Sequence, residues 1–224
     1  MPRYAACLVL GSLAVAGLAG CAYAPERELA GLTSVIEAAS PAVVALGNEK
    51  RLLGSGFRIA GTNLIGTAAH VVTASREVPN PAPGAALRVR WHQHDYPARL
   101  RRIDTKADVA VLELDSEAPM PGLAFAAAGH EARVGQWILV IGCPFGAVPT
   151  TTVGIVSAPP GAVLEPEMLA GLIQLNAAVN AGNSGGPVVD LHGRVVAIAS
   201  AAIPGASGLG FAAPAADLAA LLRP

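Results

Sequence analysis

The chain has 224 residues and a formal net charge of −1, so it carries neither the basic footprint of a nucleic-acid binder nor an acidic tail. Hydrophobic residues make up 53%, enough to build one compact unit or two small ones. Aromatics make up only 4%, which requires a core of Val, Ile, Leu and Ala.

Arg3 precedes an apolar run over residues 5–19 that is too short for a comfortable membrane span and has the form of a secretory signal, residues 1–20. The run ends in Leu18-Ala19-Gly20-Cys21, which looks like a bacterial lipobox. Cys21 is then expected to become the lipid-bearing first residue of the mature protein, with residues 21–27 as a lipidated tether. The alternative is an ordinary cut near Ala22-Tyr23-Ala24, with Cys21 discarded. Cys7 leaves with the signal and Cys21 is acylated, so Cys143 remains as the one free thiol and no internal disulfide is expected. Standing after Leu139-Val140-Ile141-Gly142, it reads as a small buried hydrophobe rather than a reactive thiol.

Leu29, Leu32, Val35 and Ile36 recur at helical spacing, predicting a helix from about residue 25 to 40 that Pro41 stops. The texture then changes to short apolar stretches punctuated by Gly, Pro and Asn. Strands are predicted at 43–46, 56–59, 64–68, 87–91, 98–103 and 109–114, and again at 137–141, 150–157, 172–175, 187–190, 195–200 and 208–212. Two groups of about six strands imply an all-β fold of paired six-stranded antiparallel β-barrels with short N- and C-terminal helices. The first barrel is expected over 28–117, a linker over 118–130 and the second barrel over 131–224, with a terminal helix at 214–222 set against the second half.

The chemistry concentrates in Ala181-Gly182-Asn183-Ser184-Gly185-Gly186-Pro187, which sets one serine in a turn that a substrate can approach closely. A serine hydroxyl is a weak nucleophile until a base takes its proton. His70, expected at the end of an apolar strand in Thr67-Ala68-Ala69-His70, supplies the base, and Asp108, at the opening of the alternating strand Val109-Ala110-Val111-Leu112, supplies the carboxylate that orients it. Their order, His then Asp then Ser, is one of the known serine-hydrolase arrangements. The N–H groups of Gly182 and Ser184 are the expected oxyanion donors.

The esterase elbow Gly-x-Ser-x-Gly also fits residues 182–186. That motif requires a helix after the serine and a triad running Ser, acid, His, whereas Gly185-Gly186-Pro187 disfavours a helix and the only downstream histidine is His192. Asp104, Asp115 and Asp190 compete with Asp108, but they stand in turns or at a far strand end, and turn aspartates usually serve their own backbone. His92 and His94 flank Gln93 on a predicted strand and would share a face; with no third ligand nearby they read as a solvated face, and no metal is expected.

These residues resemble the trypsin-like, chymotrypsin-fold serine proteases, and within them the bacterial HtrA/DegP-type family. The resemblance runs in order through Gly54-Ser55-Gly56-Phe57, Thr67 to Val72, Asp104 to Ala110, Ile141-Gly142-Cys143-Pro144-Phe145-Gly146, Gly154 to Ser157, Gly182 to Pro187 and Gly208-Leu209-Gly210-Phe211. It implies a His70, Asp108, Ser184 triad in the cleft between two barrels, acting as an endopeptidase without cofactor. Family members usually carry C-terminal PDZ domains, and the chain stops shortly after Phe211, so a member without that control is expected, its oligomeric state open. Cys143 stands where the family tends to have Asn, and Asn176 where it tends to have Asp. Asn183 replaces the Asp that, in digestive relatives, pairs with a new N-terminal amine, which implies activity without propeptide removal.

Ala178, six positions before the nucleophile, takes the pocket base, and Ile198, Ala199 and Ser200 lie in the expected pocket wall, so small or medium aliphatic side chains should fit. The expected partners are protein or peptide substrates, unfolded or misfolded chains among them, and a membrane reached through lipid on Cys21. Ala22 lacks the Asp associated with inner-membrane retention, which points to the periplasmic face of the outer membrane. The alternative is a non-catalytic envelope lipoprotein that binds unfolded chains or a protein partner through the same cleft.

Overall fold

The computed structural model describes residues 25–47, 51–73, 84, 86–144, 146, 148–162, 169, 171–180, 182–202 and 208–223. The signal segment and Cys21 lie outside the described residues. Helix α1 (Pro25–Ala39) lays Leu32, Val35 and Ile36 on the core, and Pro41 converts its end into the 3-10 turn Ser40–Ala42. That turn feeds directly into β1.

The first barrel comprises β1 (Val43–Gly47), β2 (Leu52–Arg58), β3 (Leu64–Thr67), β4 (Ala86–Trp91), β5 (His94–Asp104) and β6 (Val109–Leu114), with a short helix α2 (Ala69–Thr73) after β3. Its strand order β1-β2-β3-β6-β5-β4 closes through β1–β4 pairing. The second comprises β7 (Trp137–Gly142), β8 (Thr150–Ala158), β9 (Ile173–Leu175), β10 (Pro187–Val189), β11 (Val195–Ala202) and β12 (Gly210–Pro214), followed by helix α3 (Ala215–Ala220). Its order β10-β11-β12-β9-β8-β7 also closes, and all pairings in both barrels are antiparallel.

Val, Ile, Leu and Ala do fill the interior, with Phe57 and Phe211 the largest fully buried side chains. One cluster runs from the first barrel into Leu139, Ile141, Ile198 and Phe211 of the second, so the two halves share a core. Such side chains contribute about 1.5–3 kcal/mol each on burial.

Four local readings change. The strand before His70 ends at Thr67, because one helical turn lets both Val71 and Val72 bury where a period of two would expose one. The β4–β5 connection is a hairpin in which Trp91 pairs with His94 and His92 takes a φ of 53°, so His92 and His94 do not share a strand face. Val109 to Leu112 do not alternate: all are fully buried, one face filling the barrel and the other covered by α2 and α3. Helix α3 packs on β6 as well as on β11 and β12; Leu218 is fully buried against Gly66, and Arg102 of β5 donates to the carbonyls of Leu221 and Arg223.

The segment between the barrels is stitched to both. Leu123 forms a parallel bridge with Ile59, and Phe125 forms one with Val195 while its ring meets Phe57 edge-on at 6.4 Å. The Arg58 guanidinium donates to the carbonyls of Ala118 and Met120.

Candidate active site

The first barrel delivers a hydrogen-bonded carboxylate–imidazole pair. Asp104, at the end of β5, accepts the N–H groups of Lys106 and Ala107 through Oδ1, both at 2.9 Å, which folds the turn before β6. Asp108 ends that turn at a φ of 56°, a left-handed conformation that Asp tolerates better than most residues. Its Oδ1 accepts the His70 backbone N–H at 2.9 Å, and its Oδ2 accepts the His70 Nδ1–H at 2.8 Å. Burial alone would push the Asp108 carboxyl up. The His70 ring, the Ser200 hydroxyl and the His70 N–H together outweigh it and hold the carboxyl below the usual range. An ionised carboxylate only accepts, so Nδ1 carries the proton and Nε2 is the free ring nitrogen. The His70 side chain is 45% exposed, open to an incoming chain.

The second barrel presents Ser184 in a tight turn before β10. Gly186 N–H donates to the Asn183 carbonyl at 2.9 Å, and Gly185 N–H reaches the Ala199 carbonyl on β11 at 2.7 Å. Gly182 and Gly185 both adopt positive φ, 96° and 84°. A Cβ on residue 185 would stand 2.2 Å from both the Ser55 carbonyl oxygen and Thr67 Oγ1, and one on residue 182 would stand 2.5 Å from the Pro144 Cα. Glycine is required at both positions for conformation and for space. Pro187 then opens a strand, so no helix follows the serine and the esterase elbow is excluded.

Ser200 joins the two halves. Its hydroxyl donates to Asp108 Oδ2 in a short bond, and its carbonyl accepts the Ser184 hydroxyl at 3.1 Å. Ser184, Ser200, Asp108 and His70 thus form one continuous chain of hydrogen bonds across the seam between barrels. Of the other residues expected in the pocket wall, Ile198 and Ala199 are fully buried, their side chains belonging to the core. Ala199 meets the site through its carbonyl, which accepts the Gly185 N–H. Ala178 is exposed, and its carbonyl accepts the Thr152 hydroxyl at 2.8 Å.

The competing aspartates are otherwise engaged. Asp190 accepts the N–H groups of His192 and Arg194 and pairs with the Arg194 guanidinium at 2.9 Å, and Asp115 accepts from Arg99 at 3.1 Å. Cys143 is 4% exposed, and burial pushes its thiol up, which matches an unreactive core position. Asn176 acquires a structural reason: its Oδ1 accepts the Ile155 N–H at 2.7 Å beside the irregularity in β8–β9 pairing. Among the described residues, no group of three or more His, Cys, Asp or Glu side chains could hold a metal.

Sequence reasoning assigned Ser200 to a pocket wall and passed over Ser55, a fully buried serine on β2. The available sign for Ser55 was a hydroxyl residue between two glycines on a strand buried on both faces, where a polar atom must find partners.

The trypsin-like peptidase domain family matches residues 54–198. Over 182 residues, 78% of the chain, it is 39% identical to a protein of Halomonas elongata named "Probable periplasmic serine endoprotease DegP-like", and covers 36% of that protein. A protein of the same name from Chlamydia pneumoniae is 34% identical over 75% of the chain and 33% of its own length. "Serine protease HTRA2, mitochondrial" from Bos taurus is 34% identical over 85% of the chain and 42% of its own length. The chain therefore spans about a third to two fifths of these curated relatives.

Proposed function

The chain belongs to the trypsin-like peptidase family, and on that footing we propose that it is a serine endopeptidase with His70, Asp108 and Ser184 as its catalytic triad. The observation that carries the reading is the hydrogen-bonded chain from Ser184 through Ser200 to the Asp108–His70 pair. For attack, the Ser184 hydroxyl leaves the Ser200 carbonyl that it is bonded to here and turns toward His70 Nε2; catalytic hydrogen bonds commonly tighten only with substrate bound. Nε2 takes the proton as Oγ bonds to the substrate carbonyl carbon, and Asp108 stabilises the imidazolium. The N–H groups of Gly182 and Ser184 receive the oxyanion. His70 then returns the proton to the leaving amine, and water repeats the sequence to release the acyl group.

Asn183 is buried and uncharged, so assembly of the turn needs no new N-terminal ammonium and no propeptide removal. Ala178 at the pocket base offers no carboxylate for Arg or Lys, which supports cleavage after small or medium aliphatic residues. Leu18-Ala19-Gly20-Cys21 supports a lipid anchor at Cys21, Ala22 in place of an Asp supports the periplasmic face of the outer membrane, and the periplasmic names of two relatives support export; unfolded or misfolded proteins are the proposed substrates. A fluorophosphonate probe tests the site. Labelling of the wild type that disappears in Ser184→Ala is the expected result; absence of labelling under all conditions favours a non-catalytic module that binds chains in the same cleft.

A further inference from the structure

Ser55 lies in β2 of the first barrel between Gly54 and Gly56, and none of its surface is exposed. A buried hydroxyl is costly unless it is bonded. Its N–H donates to the Ser184 carbonyl at 2.8 Å. Its Oγ–H donates to the Gly182 carbonyl at 2.6 Å, and the same oxygen accepts the Cys143 N–H, at the end of β7, at 2.7 Å. Its own carbonyl accepts the Thr67 hydroxyl at 2.7 Å. Every polar atom of this residue is engaged, and three of the four bonds cross into the second barrel.

The geometry of those three bonds is specific. The Gly182 carbonyl belongs to the peptide plane joining residues 182 and 183, and the Ser184 carbonyl to the plane joining 184 and 185. The plane between them carries the Ser184 N–H. Glycine at 182, with its φ of 96°, and at 185, with its φ of 84°, leaves the turn little steric restraint of its own. Ser55 fixes the planes on both sides of the donor and ties them to β7 through Cys143. We propose that Ser55 is a positioning residue for the oxyanion site, aiming the Ser184 N–H from the opposite barrel; this rests on the serine-endopeptidase reading above.

The experiment compares the full-length wild type with Ser55→Ala on a peptide substrate, alongside inhibition by a peptide aldehyde whose hemiacetal oxygen takes the oxyanion position. The expected result is a kcat lowered about 10- to 100-fold with KM held within about 3-fold, and aldehyde affinity weakened by a similar factor. Val89→Ala, a buried position in the same barrel, serves as the stability control: it lowers Tm and leaves kcat within about 2-fold. Should Ser55→Ala not accumulate folded, Ser55→Cys keeps a somewhat larger side chain with a poor donor and is read in the same way. A Ser55 variant that melts early yet keeps wild-type kcat and aldehyde affinity overturns the inference and leaves the peptidase reading standing. A wild type that neither cleaves nor labels overturns both.

Discussion

The two barrels share a strand count and a closure, yet they hold their parts of the site in opposite ways. In the first, Asp108 and His70 bind each other through both carboxylate oxygens, and the turn beneath them is tied by Asp104. In the second, the Ser184 turn is built on glycines and is held by Ser55 of the first barrel together with the β11 backbone of its own. A polar side chain can carry its own partner, whereas a turn stripped of side chains for substrate access must borrow its rigidity. The Asp108–His70 pair is therefore bonded within one barrel, and the Ser184 turn is tied across both.

That contrast is open to attack by substitution. Ser184→Ala should lower kcat by about four to six orders of magnitude while leaving Tm within about 2 °C, measured by steady-state hydrolysis and thermal unfolding. Asp108→Asn should cost about 10³- to 10⁴-fold in kcat by presenting the wrong partner to Nδ1, although the His70 site is otherwise complete. The Asp108 carboxyl is held low, so its stabilisation is present above the ordinary unfolded value of about 3.9 and is lost as pH falls through the lower folded value. Acid unfolding of Asp108→Asn should accordingly show a shallower loss of stability in that range than the wild type.

Gly185→Ala probes the borrowed half. Its Cβ meets Ser55 and Thr67 at 2.2 Å and its φ is left-handed, so a loss of about 3 kcal/mol or more in denaturant unfolding is expected, accompanied by loss of fluorophosphonate labelling. A Gly185→Ala variant as stable as wild type would show that the second barrel shapes its turn alone. Ser200→Ala removes one donor from Asp108 and keeps the carbonyl that accepts from Ser184; kcat should drop about 10-fold with little change in Tm. The smallest effect belongs to Asp217, whose carboxyl is pushed up by burial and by Asp104. Asp217→Asn should raise Tm at neutral pH by about 1–2 °C, an advantage that disappears in acid as the wild-type group takes up its proton.

Much of this molecule was readable along the chain. The change from helical spacing to short apolar runs set the strands apart from the first helix, and the segment from Ser116 to His130, with its Pro and Gly, separated two strand groups. Gly185-Gly186-Pro187 ruled out a helix after the serine, and the turn positions of Asp104 and Asp190 marked them as backbone partners. These features rest on local chemistry: φ limits at Pro, the freedom of Gly, the reach of a short carboxylate to its own N–H groups. The docking of the halves was not readable in the same way. Ile198 and Ala199 looked like a pocket wall because a strand's period does not say that both of its faces will be covered, Ile198 by the core shared between the barrels and Ala199 by side chains of the second barrel. Ser55 and Ser200 are serines like many others until strands 127 and 92 residues away in sequence bring Gly182 and Asp108 to them. Local propensity set the elements and marked Ser184, His70 and Asp108 as candidates for nucleophile, base and acid. Burial against distant strands, which alone determines where a polar atom must find its partner, decided how those three are held.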